Sequence, residues 1–273
     1  MKQYGVFNPS RFRDGYHARM TLTGLASLYS VNDHEKFAEF DRNGNLLRSN
    51  YLLHNNNPVF DIRTFTYNGR LMGIGTDNIQ SVLVDFDAQP ISTKRLTNVD
   101  RFDCIERKNK NWTPLQIEER MYLYTDTTLK GEIVFREINM KSNELSPPIY
   151  VSGLTPPPTG YSRWRGSTNW EPLGNNLYLG MIHTMRQPFM SGRDYVHVFV
   201  LLNWEYLTAE VSQSVCLGRA FHARIQFATS LHLVSQDTIE IGWGENDSRA
   251  YIQEFSKTDI LNLFHSYKTK LVL

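Results

Sequence analysis

The 273-residue chain has two cysteines, no low-complexity tract and almost no net charge, and each shortage removes a class of protein. Cys104 and Cys216 lie far apart without a CxxC companion, so two buried thiols in a reducing, cytoplasmic compartment are expected rather than a disulfide scaffold. A formal charge of +1, without a basic block or acidic tail, leaves no electrostatic footprint for nucleic acid or an anionic membrane. No apolar run approaches a membrane span, and the opening MKQYGVFNPSRFRDG carries no apolar secretion segment. GxxxxGK, HExxH, GxSxG and paired CxxC motifs are all missing, and the eight histidines show no metal-ligand spacing.

What is present is 41% hydrophobic and 12% aromatic residues, enough for a core, arranged as a repeat. Turn signals fall at Asp14-Gly15, Asn68-Gly69, Glu118-Glu119, Gly174-Asn175-Asn176 and Gln236-Asp237. Each precedes a strand-like run, at residues 16–22, 70–75, 120–124, 177–183 and 238–243. The turns recur roughly every 50–60 residues, near the period of propeller blades. A second marker recurs in the same order: a third strand ending in a small polar residue, at Asp41, Asp87, Asn139, Asn203 and Ser256. Together they predict an all-β fold, a single domain over 1–273. Its architecture is a five-bladed β-propeller of four-stranded antiparallel blades. The proline-rich stretch 146–160 reads as an extended connection between blades three and four. Apolar spacing in 259–273, with Thr258 as N-cap, predicts a short C-terminal helix.

In a propeller the innermost strands ring one axis, so polar residues opening each repeat converge. The openings are Asn8-Pro9-Ser10, Phe60-Asp61-Ile62-Arg63, Lys110-Asn111-Trp112-Thr113-Pro114, Arg165-Gly166-Ser167-Thr168 and Phe227-Ala228-Thr229. Asp61 and Arg63 alternate with Ile62, which places both on one side of a strand. Asp61 is the lone acid among the five. A glycoside hydrolase mostly needs two carboxylates. One acid among several cations instead suits transfer involving an anionic partner, a sugar phosphate or nucleotide diphosphate. Glu245 and Asp247, after the fifth repeat's strand, are the other acids placed to reach the funnel. Trp112, Trp164, Trp170 and Tyr195 are candidates to stack on sugar faces, some of them packing between blades instead.

These openings resemble those of five-bladed propeller carbohydrate enzymes, the β-mannoside phosphorylases and β-1,2-mannosyltransferases. The resemblance is carried by Asn8-Pro9-Ser10, by Phe60-Asp61-Ile62-Arg63 against a Glu-Asp-Pro-Arg motif, and by Lys110 to Pro114. Arg165-Gly166-Ser167-Thr168 with His183, Tyr195-Val196-His197 and the run Gly242 to Asp247 complete it. It implies Asp61 as the catalytic acid. It implies a phosphate or donor site made of Arg63, Lys110, Arg165 and His183 or His197; the repeat openings and the strands after them add Asn8, Asn111, Trp112, Ser167, Thr168, Glu245 and Asp247 as candidate substrate residues. Phe60 stands where the family has its Glu; beside Asp61 it would raise the acid's pKa by desolvation.

The reading at this level is a glycosyltransferase-like enzyme that moves a sugar, mannosyl in the implied family, between a phosphate-bearing donor and a glycan acceptor. Its partners are a nucleotide sugar or sugar phosphate and a glycan. Glycoside phosphorylase, inverting hydrolase and a non-catalytic glycan- or protein-binding propeller stay open. No cofactor is expected. A divalent cation at Asp85-Phe86-Asp87 is the one exception considered, against a structural use of both carboxylates.

Overall fold

The computed structural model describes residues 4–12, 15–22, 36–43, 45–77, 80–97, 111–186, 194–217, 226–246 and 249–265. The first sheet runs β1 (Tyr4–Phe12), β2 (Gly15–Leu22), β3 (Lys36–Phe40) and β4 (Leu46–Asn50), in that order. A two-stranded hairpin, β5 (Leu53–His54) and β6 (Asn57–Pro58), leads to the second sheet. That sheet is β7 (Phe60–Tyr67), β8 (Arg70–Thr76), β9 (Ser81–Asp85) and β10 (Ser92–Arg95). The third holds β11 (Thr113–Ile117), β12 (Arg120–Thr127), β13 (Ile133–Asn139), β14 (Glu144–Leu145) and β15 (Ile149–Val151). In the fourth, β16 (Arg165–Gly166) and β17 (Glu171–Gly174) both pair with β18 (Leu177–Arg186), followed by β19 (Asp194–Asn203) and β20 (Thr208–Val215). Last come β21 (Gln226–Leu233), β22 (Thr238–Glu245) and β23 (Arg249–Ser256), then helix α1 (Lys257–His265).

The chain is all-β, propeller-like in arrangement, with one short C-terminal helix. Five complete blades are not formed. Among the described residues four sheets reach the four strands of a full blade, and the fifth repeat stops at three. The strand expected to complete it is replaced by α1, which follows β23 directly and packs on β20 and β23. The first strands of successive sheets approach one another: β7 touches β1, β11 and β21.

Both repeating markers have local causes. Asn68 and Gly69 take φ of 50° and 72°, the paired left-handed conformations that a type I′ hairpin requires. Asn175 and Asn176, at 52° and 59°, do the same before β18. At three of the repeats the small polar residue ending the third strand is a turn acceptor. Asp41 Oδ1 takes the N–H groups of Asn43 and Asn45, Asn139 Oδ1 those of Lys141 and Ser142, and Asn203 Oδ1 that of Tyr206. In the fifth repeat Ser256 Oγ accepts from Asp259 N at 3.3 Å, so Ser256 caps α1 rather than Thr258.

The core is divided between sheets. Tyr178 and Ile182 of β18 join the cluster shared with the third sheet, whereas Leu179 and Met181 join the one shared with the fifth, as period-two alternation demands. Ile260 and Phe264, four apart on α1, close that second cluster. The stretch 146–160 is not wholly a connection: β15 within it pairs with β13 between its two proline groups. Cys216 keeps its thiol but is exposed, not buried as expected; Cys104 lies outside the described residues.

Candidate functional site

The site begins at an irregularity. Phe60 pairs with Thr76 and Arg63 with Ile74, so an extra residue bulges from β7 between them. Asp61 sits in that bulge at φ 53°, a left-handed conformation uncommon for a side chain with a Cβ. Strict alternation from Asp61 to Arg63 therefore fails. Ile62 packs in the cluster between the first and second sheets, and Asp61 is half-buried. The side chain of Phe60 lies outside those described.

Arg63 is 1% exposed. Its Nε donates to the Ser167 carbonyl at 2.6 Å and its Nη1 to the Asp61 carbonyl at 2.8 Å. The guanidinium carbon lies 5.3 Å from the centre of the Phe227 ring. Burial lowers the Arg63 pKa to about 10, with the Asp61 charge opposing, so it stays cationic at neutral pH.

Strand register assembles the rest. Arg165 on β16 pairs with His183 on β18, which pairs with His197 on β19. Ser167 Oγ and His183 Nδ1 are 2.8 Å apart, and both residues are buried. His197 Nε2 accepts the Ala228 N–H at 3.3 Å, which requires a neutral ring with its proton on Nδ1. Burial lowers His197 to a pKa of about 3. Burial, then His197 and the Arg165 and Arg63 guanidiniums, hold His183 well below the usual imidazole range. Phe227 packs edge-on against His183 at 4.8 Å and Tyr195 at 6.0 Å.

Asp61, Arg63, Arg165, Ser167, His183 and His197 are thus joined by contact or field into one group. The other expected members are placed as follows. Trp112 is 5% exposed in the core between the second and third sheets, with no face for a sugar. Trp164 and Trp170 are likewise core residues, their indole N–H groups donating to the Thr155 carbonyl and Thr113 Oγ1. Thr168 is buried, with its Oγ1 donating to the Asn169 carbonyl and accepting from Met181 N. Glu245 is buried and accepts from Tyr251 at 3.3 Å, which draws it toward β23. Asn111 is half-buried at φ 66° before β11, and its carbonyl lies against Gly166. Asn8 lies in β1 with its side chain outside those described, and Lys110 and Asp247 are wholly outside the described residues.

Asp85 and Asp87 hold no metal geometry. Asp85 pairs with Arg70 and accepts from Asp87 and Ala88 N–H groups, while Asp87 accepts from Leu71 N. Among the described residues no group of three or more His, Cys, Asp or Glu is placed to hold a metal ion. The residue missed from sequence is Phe227: it opened the fifth repeat, yet nothing in its type announced that it would seat a guanidinium. A cavity of about 930 Å³ lies at the hairpin-turn end of the first strands, lined by Thr64, Gln116, Asn169, Glu171 and His232. None of the six grouped residues lines it.

Against known proteins, no family model and no curated sequence matches this chain. Solved structures do. The β-1,2-mannobiose phosphorylase of Listeria innocua superposes with a TM-score of 0.68 at 11% identity, over 96% of this chain and 92% of that one. The chain shares its fold. MPT-4, a mannose phosphorylase from Leishmania mexicana, gives 0.63 at 13% identity over 93% and 84%. A structure from the GH130 mannoside phosphorylases, described as containing hydrolases that target β-1,2-mannosidic linkages, gives 0.61 at 9% identity over 94% and 86%. The structural neighbours thus match the resemblance in the openings, and at these identities the likeness is one of fold.

Proposed function

We propose that the protein cleaves a glycosidic bond and passes the glycosyl group to phosphate, with Asp61 delivering the proton to the departing oxygen, directly or through a substrate hydroxyl. The observation that carries this is the composition of the grouped site: among the described residues it holds one carboxylate, Asp61, with the half-buried Arg165 guanidinium and two neutral imidazoles. A lone acid provides the proton but no base or nucleophile of the kind a two-carboxylate hydrolase uses, so the attacking group must arrive already anionic. The neighbours are described as phosphorylases and hydrolases, which favours this reading over the glycosyltransferase expected from sequence, with its nucleotide-sugar or sugar-phosphate donor. By the same likeness a β-mannoside is the substrate class to try first.

The test is incubation with a β-1,2-linked mannobiose, with and without inorganic phosphate. Phosphate-dependent release of a sugar 1-phosphate is the expected result, reduced on the order of 10²–10⁴-fold by Asp61→Asn. Cleavage of no β-mannoside under either condition would refute the proposal. A second reading, hydrolysis, is favoured by one observation: both imidazoles are neutral and Arg63 is sealed by its backbone contacts, leaving half-buried Arg165 as the cation of the group for an anion to meet. Equal release of free sugar without phosphate would select it.

A further inference from the structure

We infer that Arg63 is a positioning residue for Asp61, not a ligand for the anionic partner, and that it works by tying three sheets together beneath the reacting centre. This rests on the proposed role of Asp61 as the acid. A guanidinium recognises a phosphate or carboxylate by presenting two parallel N–H groups to it. Two of the five N–H groups of Arg63 are committed to backbone carbonyls. Nε reaches the carbonyl of Ser167, directly after β16 of the fourth sheet, and Nη1 reaches back to the Asp61 carbonyl in the second. The remaining Nη2 is buried with no hydrogen-bond partner among the described residues, and the residue is 1% exposed, so it presents no open face to an anion. Phe227, of the fifth sheet, covers a face of the group.

One of these contacts holds the backbone that follows the acid. Asp61 has a left-handed φ in a bulge, a conformation that persists only where surrounding structure over-determines it. Its own carbonyl is one of the two that Arg63 grips, so the guanidinium sets the orientation of the peptide following Asp61 and hence where its carboxyl stands. The other grip, on Ser167, reaches the residue whose hydroxyl is hydrogen-bonded to His183. The buried charge is therefore an interlock between the acid and the imidazole side of the site. Lysine cannot reproduce it, because one ammonium lacks the planar fork that spans both carbonyls.

The experiment compares Arg63→Lys with wild type on two β-mannosides, one with an alkyl leaving group and one with a dinitrophenyl leaving group that departs without protonation. Each is assayed with water and with phosphate as acceptor. Misplacing an acid slows only the substrate that needs protonation. The variant should lose about 100-fold in kcat on the alkyl mannoside and stay within about threefold of wild type on the dinitrophenyl one, with KM for phosphate unchanged. A raised KM for phosphate, an equal loss on both substrates, or no loss on either would overturn the inference. Asp61→Asn is run beside it. If that variant lacks leaving-group selectivity, the acid assignment itself fails; if it has selectivity and Arg63→Lys does not, only the present inference fails. Should Arg63→Lys not fold, Phe227→Leu carries the same comparison, since it keeps both backbone hydrogen bonds and removes the ring over the guanidinium. A selective loss of a few-fold on the alkyl substrate supports the inference, and an equal loss or none overturns it.

Discussion

Replacing His197 by Gln should make the protein less sensitive to acid. In the folded chain the ring is neutral, because it is buried and because its Nε2 lone pair accepts the Ala228 N–H. Its pKa is lowered from 6.5 to about 3. In the unfolded chain it titrates near the ordinary value, so below pH 6.5 the unfolded state binds a proton that the folded state refuses. A lowered histidine pKa therefore contributes nothing to the pH dependence above about 6.5 and progressively destabilises the fold as pH falls toward 3. At 1.36 kcal/mol per pH unit, going from pH 6.5 to 5 costs about 2 kcal/mol for this one residue. His183 adds to the loss with the same sign, since its pKa also lies well below the usual value. Gln can accept the same Ala228 N–H without titrating. Urea unfolding at pH 7 and pH 5, on wild type and His197→Gln, isolates the term, because other titrating groups are shared and cancel. Wild type should lose about 2 kcal/mol more than the variant between the two pH values, or roughly 4–8 °C in Tm by the scaling for chains of similar size. Equal losses would refute the reasoning: His197 would then be protonated in the folded state or exposed in it.

Two further substitutions test the placement of other residues. Gly166→Ala should destabilise by about 3 kcal/mol or more, since the added methyl would meet the Asn111 backbone carbonyl and lie 2.8 Å from Thr113 Cγ2 and 2.9 Å from a Tyr124 ring carbon. A melting curve superposable on wild type would show that the third and fourth sheets are not so closely apposed. Trp112→Phe should lower stability by about 1–3 kcal/mol, measured by urea unfolding, and leave KM for sugar unchanged, because the indole packs between sheets. A raised KM at unchanged stability would return Trp112 to the site.

The hairpin positions and turn acceptors among the described residues were legible from the chain, because each depends on residues adjacent in sequence. Asn68-Gly69 turns because its own φ angles permit it, and Asp41 and Asn139 hold turns by accepting from residues two to four places along. The all-β class followed from repeating those local signals. The blade count did not, because the end of the fifth repeat is a choice between a fourth strand and a helix: Ser256 caps α1, and Ile260 and Phe264 find a cluster between sheets to fill. The candidate site divided in the same way. Residue types at Asp61, Arg165, His183 and His197 marked them from sequence, and strand register then brought the last three together. The burial of Trp112 and the neutrality of both histidines belong to packing between sheets. Arg63 shows the limit most clearly. Its charge is written in the chain, but whether that charge meets a ligand or a carbonyl depends on Ser167, 104 positions away, and on the Phe227 ring. Local chemistry determined which residues are candidates for this site; only the closing of the sheets around a common axis decided which of them are sealed and which are not, because burial is a property of neighbours that sequence separation does not encode.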